Sequence, residues 1–355
     1  MAGLAAAARL RELGVDAVVL EKGPAPGGSM LLSSCVIWRF REWEDFRAEC
    51  PNGDERLQRI VWEQLDEAID WLMSLGTPVV WDDTGNPRTI GKRFDPAGLT
   101  EVLTHRIEHL HTYTCVHMST EPTDATILCT GGFQGDPELV DRYIKPAAPL
   151  RLRANRWSIG DGLRAGLAAG AGLAAGMDEF YGRNMPDTDF TEADFVPQAQ
   201  LYGRYARVLN ERGEEFFADE VSWSENDLAQ ATARQPNARA WYILDETALE
   251  QRVRDRTVAE IVASAPTAVD PAELPFPAPS DARIAVRVAP GITHTIGGLA
   301  IDEHARVLRE DRTPIAGLYA AGADVGGIST GGYASGLAAA LVFGRIAAES
   351  FAAAL

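Results

Sequence analysis

The chain has 355 residues, 46% hydrophobic and 24% charged, which is enough for a sizeable core and for two domains, one of them discontinuous. A formal net charge of −18 argues against nucleic acid and anionic membrane surfaces as partners, and no apolar run reads as long enough to span a bilayer. The four scattered cysteines, Cys35, Cys50, Cys115 and Cys129, form no C-x-x-C pair; they fit a reducing cytoplasm with buried thiols better than a disulfide framework or a zinc site.

Residues Gly3 to Leu13 place small apolar and basic side chains at helical spacing, with Gly14 just past the end, where positive φ is cheap for glycine. Asp16 to Leu20 is a β-branched run that ends in Glu21. The order helix, turn, strand, acid belongs to a nucleotide-binding βαβ unit. There the helix N-terminus faces a pyrophosphate and the acid accepts from a ribose hydroxyl. Ala2 and Gly3 are small enough for backbone and phosphate to approach. The full G-x-G-x-x-G fingerprint follows a strand, and only its last glycine is represented here, so an ordinary Ala-rich amphipathic helix is the competing reading of this segment.

Gly23 to Met30 is turn chemistry. Glu55 to Leu75 reads as a helix with Ile60, Val61, Leu65, Ile69 and Leu72 on one face, followed by a short strand, Pro78 to Trp81. Asp95-Pro96 opens a helix that reaches Leu110. Tyr113 to Met118 and Ala125 to Cys129 read as strands, the second running into Thr130-Gly131-Gly132-Phe133. Gly160-Asp161-Gly162 begins a helix to about Gly176. Leu201 to Asn210 and Ala240 to Leu244 are strands, Val253 to Ala265 a helix, and Pro266 to Arg283 a linker rich in Pro, Ala and Asp. Arg283 to Val288 is strand-like, and Gly291 to Ile301 gathers Thr, His and Gly. Gly317 to Ala321 is a strand into a glycine turn, and Tyr333 to Ala354 closes the chain as a helix.

Several of these segments, in order, resemble one family. They are Leu20-Glu21-Lys22 with Gly27-Gly28-Ser29, Ile127 to Phe133, and Ser158-Ile159-Gly160-Asp161-Gly162. Asn210-Glu211-Arg212-Gly213 with Glu215-Phe216 and Asp219-Glu220 continues the series, followed by Thr293-His294-Thr295-Ile296-Gly297-Gly298 and Gly317 to Gly322. The chain resembles the FAD-dependent oxidoreductases of the fumarate reductase/succinate dehydrogenase flavoprotein superfamily, which includes the 3-ketosteroid dehydrogenases and the tricarballylate dehydrogenase-like enzymes. The resemblance implies an α/β fold. A discontinuous Rossmann-like FAD domain would comprise residues 1–155 and 285–355, and an inserted α+β substrate or cap domain residues 156–284. It implies cofactor contacts from Ala2, Gly3, Glu21, Lys22, Gly27, Gly28, Ser29, Thr130, Gly131, Gly132, Asp161, Gly322, Ala323, Asp324, Ser335, Gly336 and Leu337. The N-terminus of the last helix would point at the pyrimidine end of the flavin and stabilise its anionic reduced form. The loop at Ser29 has no His, so the FAD is expected to be non-covalent.

Departures set the expected subclass. The fumarate-reducing branch uses an Arg as proton donor, but Val221-Ser222-Trp223-Ser224 contains none; Gly331-Gly332-Tyr333 stands where that branch has a carboxylate-binding Arg. Fumarate or succinate chemistry is therefore not expected. The ketosteroid branch works with tyrosines, one polarising a carbonyl and another taking a proton. By that analogy the candidates here are Tyr333, Tyr181 and Tyr202, with Tyr205 beside them, His294 as a ligand or acid, and Arg204 or Arg207 to activate a phenol or hold an anion. The expected activity is hydride transfer between flavin N5 and a carbon next to an activated carbonyl, as dehydrogenation or enoate reduction, with a small-molecule substrate and a separate electron donor or acceptor. The other reading is a flavin-free relative with a non-catalytic binding role.

Overall fold

The computed structural model describes residues 1–115, 125–144, 150–217 and 220–355. Part of the expected strand Tyr113 to Met118, and Asp219 of the Asp219-Glu220 pair, lie outside them. The chain forms two compact units. One comprises Met1–Tyr143, Ala154–Glu179 and His294–Leu355; the other Ile144–Arg153 and Phe180–Thr293. The expected boundaries move in physically sensible ways. Residues 144–153 join the second unit because Arg151–Leu152 pairs with Ile284–Thr295. Residues 156–179 join the first because Gly162 and Gly166 pack against Asp324 and Leu299.

In the first unit the helix Ala2–Glu12 forms as read. Leu4, Leu10 and five alanines are buried, and Gly14 takes φ +74° just beyond the end. It lies on the last helix, Gly336–Ala353, whose Leu341, Val342 and Phe343 are buried. That last helix overturns one expectation. With 18 residues and a mean hydropathy of 1.4, it is long and apolar enough, by length and composition, to cross a membrane. Within this unit it packs on Ala2–Glu12 and Glu55–Ser74, and Arg345 Nη2 meets Glu67 at 2.8 Å.

Val18–Leu20 pairs in parallel with His109–His111, and Thr126–Leu128 with Pro314–Ala320. No ladder joins these parallel pairs among the described residues. A cluster of Ala6, Leu10 and Ala348 links them instead, with Val15 and Ala17 from one side and Ile127 from the other. The strand at His109–His111 replaces the end of an expected helix; Pro96–Thr104 is all of that helix. A further antiparallel sheet, Val36–Phe40, Thr89–Phe94 and Val79–Trp81, carries Trp38.

The second unit is built on a six-stranded sheet around Ile284–Thr295. Alternation sends Val286 and Val288 into a core with Tyr202, Tyr242, Leu228 and Ile261. Ala285 faces the other side with Trp241, Ile243, Leu209 and Leu274. The central strand is longer than the Arg283 to Val288 run because it absorbs most of the Thr/His/Gly cluster. Phe180–Pro186, which had no strand reading, pairs with it. Of Leu201 to Asn210 only Arg207–Leu209 is a strand, since Gly203–Tyr205 is a helical turn held by Glu225. The helix expected from Gly160 stops at Ala168, before Gly170 at φ +87°. The helix expected from Val253 starts at Val258, where Thr257 and Glu260 form a capping box.

Candidate functional site

The carboxyl ends of the parallel strands in the first unit meet at the start of the first helix. A Cβ placed on Gly3 would lie 3.3 Å from Cys129 Cβ, and one on Gly322 would lie 3.1 Å from Ala2 Cβ. Beyond Leu20, Glu21 Oε1 accepts a hydrogen bond from Gly23 N at 2.7 Å, and Lys22 Nζ pairs with Asp161 Oδ2 at 2.7 Å. Across from them, Ser29 Oγ accepts from Asn155 N at 3.1 Å, which ties Gly27–Ser29 to the Asn155–Trp157 turn.

Beyond Leu128 the chain enters Thr130-Gly131-Gly132. The Thr130 hydroxyl donates to Asp324 Oδ1 at 2.9 Å and accepts from Gly162 N at 2.9 Å, while Thr130 N donates to Asp324 Oδ2. Asp324 is 1% exposed; burial raises its pKa, and the donors from Thr130, Gly131 and Gly132 pull the other way. Gly132 adopts φ +83°, and a side chain there would strike Thr295 Oγ1 at 2.7 Å and approach Ala323 O at 3.2 Å. The result is a lining of backbone, small residues and short polar side chains at strand ends and a helix N-terminus. Backbone N–H groups at a helix N-terminus and short polar side chains suit an anionic dinucleotide, and the tightest points leave no room for Cβ atoms. The chemistry of these groups is compatible with FAD, and the contacts described involve Ala2, Gly3, Glu21, Lys22, Gly28, Ser29, Thr130, Gly131, Gly132, Asp161, Gly322, Ala323 and Asp324, whereas Gly27 packs on Leu31 and Thr100.

At the other end, Ser335 caps the last helix by accepting from Ala338 N at 3.3 Å. A Cβ on Gly336 would sit 2.9 Å from His294 Cε1, with Leu337 on the next position of the helix. The His294 and Tyr333 ring centroids are 6.0 Å apart, and Tyr333 is 6.0 Å from Trp38 in an edge contact. The imidazole is half-buried and closely packed by protein, and desolvation draws its pKa from 6.5 to about 4, so His294 is neutral at ordinary pH. A neutral imidazole offers one donor and one acceptor, and the Tyr333 phenol offers both.

The other expected catalytic residues lie in the second unit and do different work. Tyr202 is fully buried, donates to Gln200 Oε1 at 2.5 Å and packs edge-on to Tyr242. Burial first, and Glu225 second, push its pKa well up, so it is a core residue and not a proton carrier. Arg204 ties a loop: it meets Glu225 at 3.4 Å, donates to Ser222 O and Trp223 O at 3.2 and 2.8 Å, and lies over the Trp223 ring. Tyr205 and Arg207 are exposed. Tyr181 sits under the Arg183 guanidinium, 5.1 Å from ring centroid to carbon.

Sequence reasoning missed Trp38, Asn155 and Glu225. Trp38 comes from a distant strand, and no local pattern points to its contact with Tyr333. Asn155 begins an Asx turn, its Oδ1 accepting from Trp157 N at 2.8 Å, which is legible in Asn-Arg-Trp only with hindsight. Glu225 adopts φ +52° in a buried position, a conformation no propensity predicts for Glu.

The sequence profile of a family described as "FAD binding domain" matches residues 1–123 and 118–337. A probable fumarate reductase of Shewanella frigidimarina is 24% identical, over 99% of this chain and 73% of the relative. An NADH:fumarate oxidoreductase of Klebsiella pneumoniae is also 24% identical, over 99% of this chain but only 46% of the relative. Among solved structures, 3-ketosteroid delta1-dehydrogenase from Sterolibacterium denitrificans superposes with a TM-score of 0.74 at 17% identity, covering 100% of this chain and 98% of the other.

Proposed function

The chain belongs to the FAD binding domain family, and we propose that within it the chain is an oxidoreductase moving a hydride between flavin and a carbon next to an activated carbonyl. The observation that carries this reading is the placement of Tyr333 and neutral His294 together at the start of the last helix, in the same unit as the glycine-lined strand ends.

Bound FAD supplies the hydride acceptor or donor. Glu21 would take the ribose hydroxyl, and Ala2-Gly3 at the helix N-terminus the pyrophosphate. Gly131, Gly132, Gly322 and Asp324 would line the middle of the cofactor, and Ser335 to Leu337 its ring end. Ser29 and Met30 offer no imidazole for a covalent bond, which supports non-covalent FAD. On the substrate side, Tyr333 Oη handles the proton at the carbon beside the one that exchanges hydride. A ring N–H of His294 holds the carbonyl oxygen, so charge developing there meets a fixed donor. Trp38 holds the Tyr333 ring in place from its edge. Electrons are exchanged with a separate donor or acceptor. The four free cysteines, Cys35 and Cys50 buried among them, support a reducing, cytoplasmic location.

The direct test is Tyr333→Phe. It is expected to keep its FAD and to lose about 100-fold or more in the rate of flavin reduction or reoxidation by substrate. Unchanged kinetics in that variant would remove Tyr333 from the chemistry.

A further inference from the structure

The face that the helix Glu55–Ser74 turns to the core is apolar except at Gln58, which is 0% exposed. A buried amide must find partners for its two donors and its oxygen. Gln58 Nε2 donates to Cys50 O at 2.9 Å and to Ile328 O at 2.7 Å, and Gln58 Oε1 accepts from Arg47 Nη1. Two carbonyls at the nitrogen and a cation at the oxygen fix which way the amide points. Arg47 is tied in turn to Gly53 O at 3.1 Å and to Pro51 O at 2.9 Å.

Ile328 belongs to the glycine-rich loop that leads into Tyr333. That loop is held along its length. Gly327 O accepts from Asp54 N at 2.7 Å, Thr330 O accepts from Asn52 N at 3.2 Å, and Gly331 N donates to Glu179 Oε2 at 2.7 Å. No space is left between the loop and its support. A Cβ on Gly53 would collide with Gln58 Nε2 and Ile328 O, and one on Gly332 with Glu49 O. All of these residues lie in the first unit. The bonds from Asp54 and Asn52 come from the main chain and survive a change of side chain. Gln58 instead joins the loop, Cys50 and Arg47 through one side chain. Trp38 and His294 flank the Tyr333 ring, each with centroids 6.0 Å away, but the loop sets where that ring starts. A shift of about 1 Å in the loop would carry the phenol with it, and misplacement of that size at a reacting group costs about 100-fold in rate.

We propose that Gln58 is a positioning residue for Tyr333: through Ile328 it fixes the backbone from which the phenol projects. That the phenol so placed moves a proton rests on the oxidoreductase reading; the pinning of the loop does not.

The test is fluorine NMR of the FAD-loaded protein labelled with 3-fluorotyrosine. Of the 8 tyrosines, the one whose resonance is absent from Tyr333→Phe is Tyr333. Gln58→Met keeps the length of the side chain and removes its donors and acceptor. It should shift or broaden the Tyr333 resonance, leave those of Tyr181, Tyr202, Tyr205 and Tyr242 in place, and leave FAD bound. Reoxidation of the dithionite-reduced enzyme by 2-cyclohexen-1-one should slow about tenfold or more, and adding Gln58→Met to Tyr333→Phe should bring no further loss. A residue that only stabilises the fold would slow the Tyr333→Phe background as well. If Gln58→Met fails to fold, Gln58→Asn decides; its amide is one methylene short and should move the same resonance by less. A Tyr333 resonance unmoved by the substitution, movement of all resonances together, or fully additive rate losses would overturn the proposal. A Tyr333 resonance that moves in an enzyme whose Tyr333→Phe variant reacts as fast as wild type, or whose reduced flavin no enone reoxidises, would sink the oxidoreductase reading and leave the pinning standing.

Discussion

His294 and Tyr202 illustrate how little a residue's type says about its role until its surroundings are known. Both are candidate proton carriers by chemistry, and burial acts on each in a characteristic direction. For His294 the folded pKa of about 4 lies below the ordinary 6.5. Between those values the unfolded chain binds a proton that the folded chain refuses, so stability falls as pH drops from 6.5 toward 4 and this contribution is complete above 6.5. Urea unfolding at about pH 7 and about pH 5 should show that loss in wild type and a flatter profile in His294→Gln. The same neutrality predicts that the pH profile of the flavin reaction carries no inflection from His294 near 6.5. Tyr202→Phe, in contrast, should cost about 1 kcal/mol of stability through its lost bond to Gln200 and leave turnover untouched. The sequence could name Tyr333 because it sits among glycines before a helix. It placed Tyr333 ahead of Tyr202 on that ground alone, whereas the reason Tyr202 is structural, its pairing with Tyr242 across a buried core, is not visible in the sequence.

The elements most legible in the sequence are those with local causes. The first helix, Glu55–Ser74 with Asp54 accepting at its start, and the strand into Gly322 follow from periodicity, capping and turn glycines. The elements missed were those decided by partners. His109–His111 is a strand because it lies beside Val18–Leu20, and Phe180–Pro186 because it lies beside Ile284–Thr295. The contact between the first and last helices is equally hidden in sequence: a Cβ on Gly344 would stand 2.7 Å from Ala2 O. That close approach fixes where the first helix starts, and so where Ala2 and Gly3 present their backbone. Gly344→Val is expected to cost about 1–3 kcal/mol by overpacking. It should also weaken FAD affinity, measured by urea unfolding and by titrating apoprotein with FAD. Full FAD affinity in a destabilised Gly344→Val protein would separate the helix contact from the cofactor site.

At the scale of the whole molecule, the order of short segments spread along the chain pointed to two domains, one of them discontinuous, and the chain divides into two compact units, each assembled from separate stretches. The boundaries were not legible, because strand pairing assigns residues 144–153 and 285–293 to the second unit from a distance. The chain's acidity is likewise a global property that conceals local clusters of the opposite sign, such as Arg151, Arg239 and Arg287 around Asp187. The proposed chemistry requires that the strand ends around Ala2, Glu21, Thr130 and Gly322 hold FAD. The visible absorption spectrum of the purified protein, followed by acid precipitation, tests this most directly. The expected result is a flavin spectrum with FAD equimolar to protein, released into the supernatant as a non-covalent cofactor should be. A colourless protein that gains no flavin spectrum after incubation with excess FAD and desalting would contradict it.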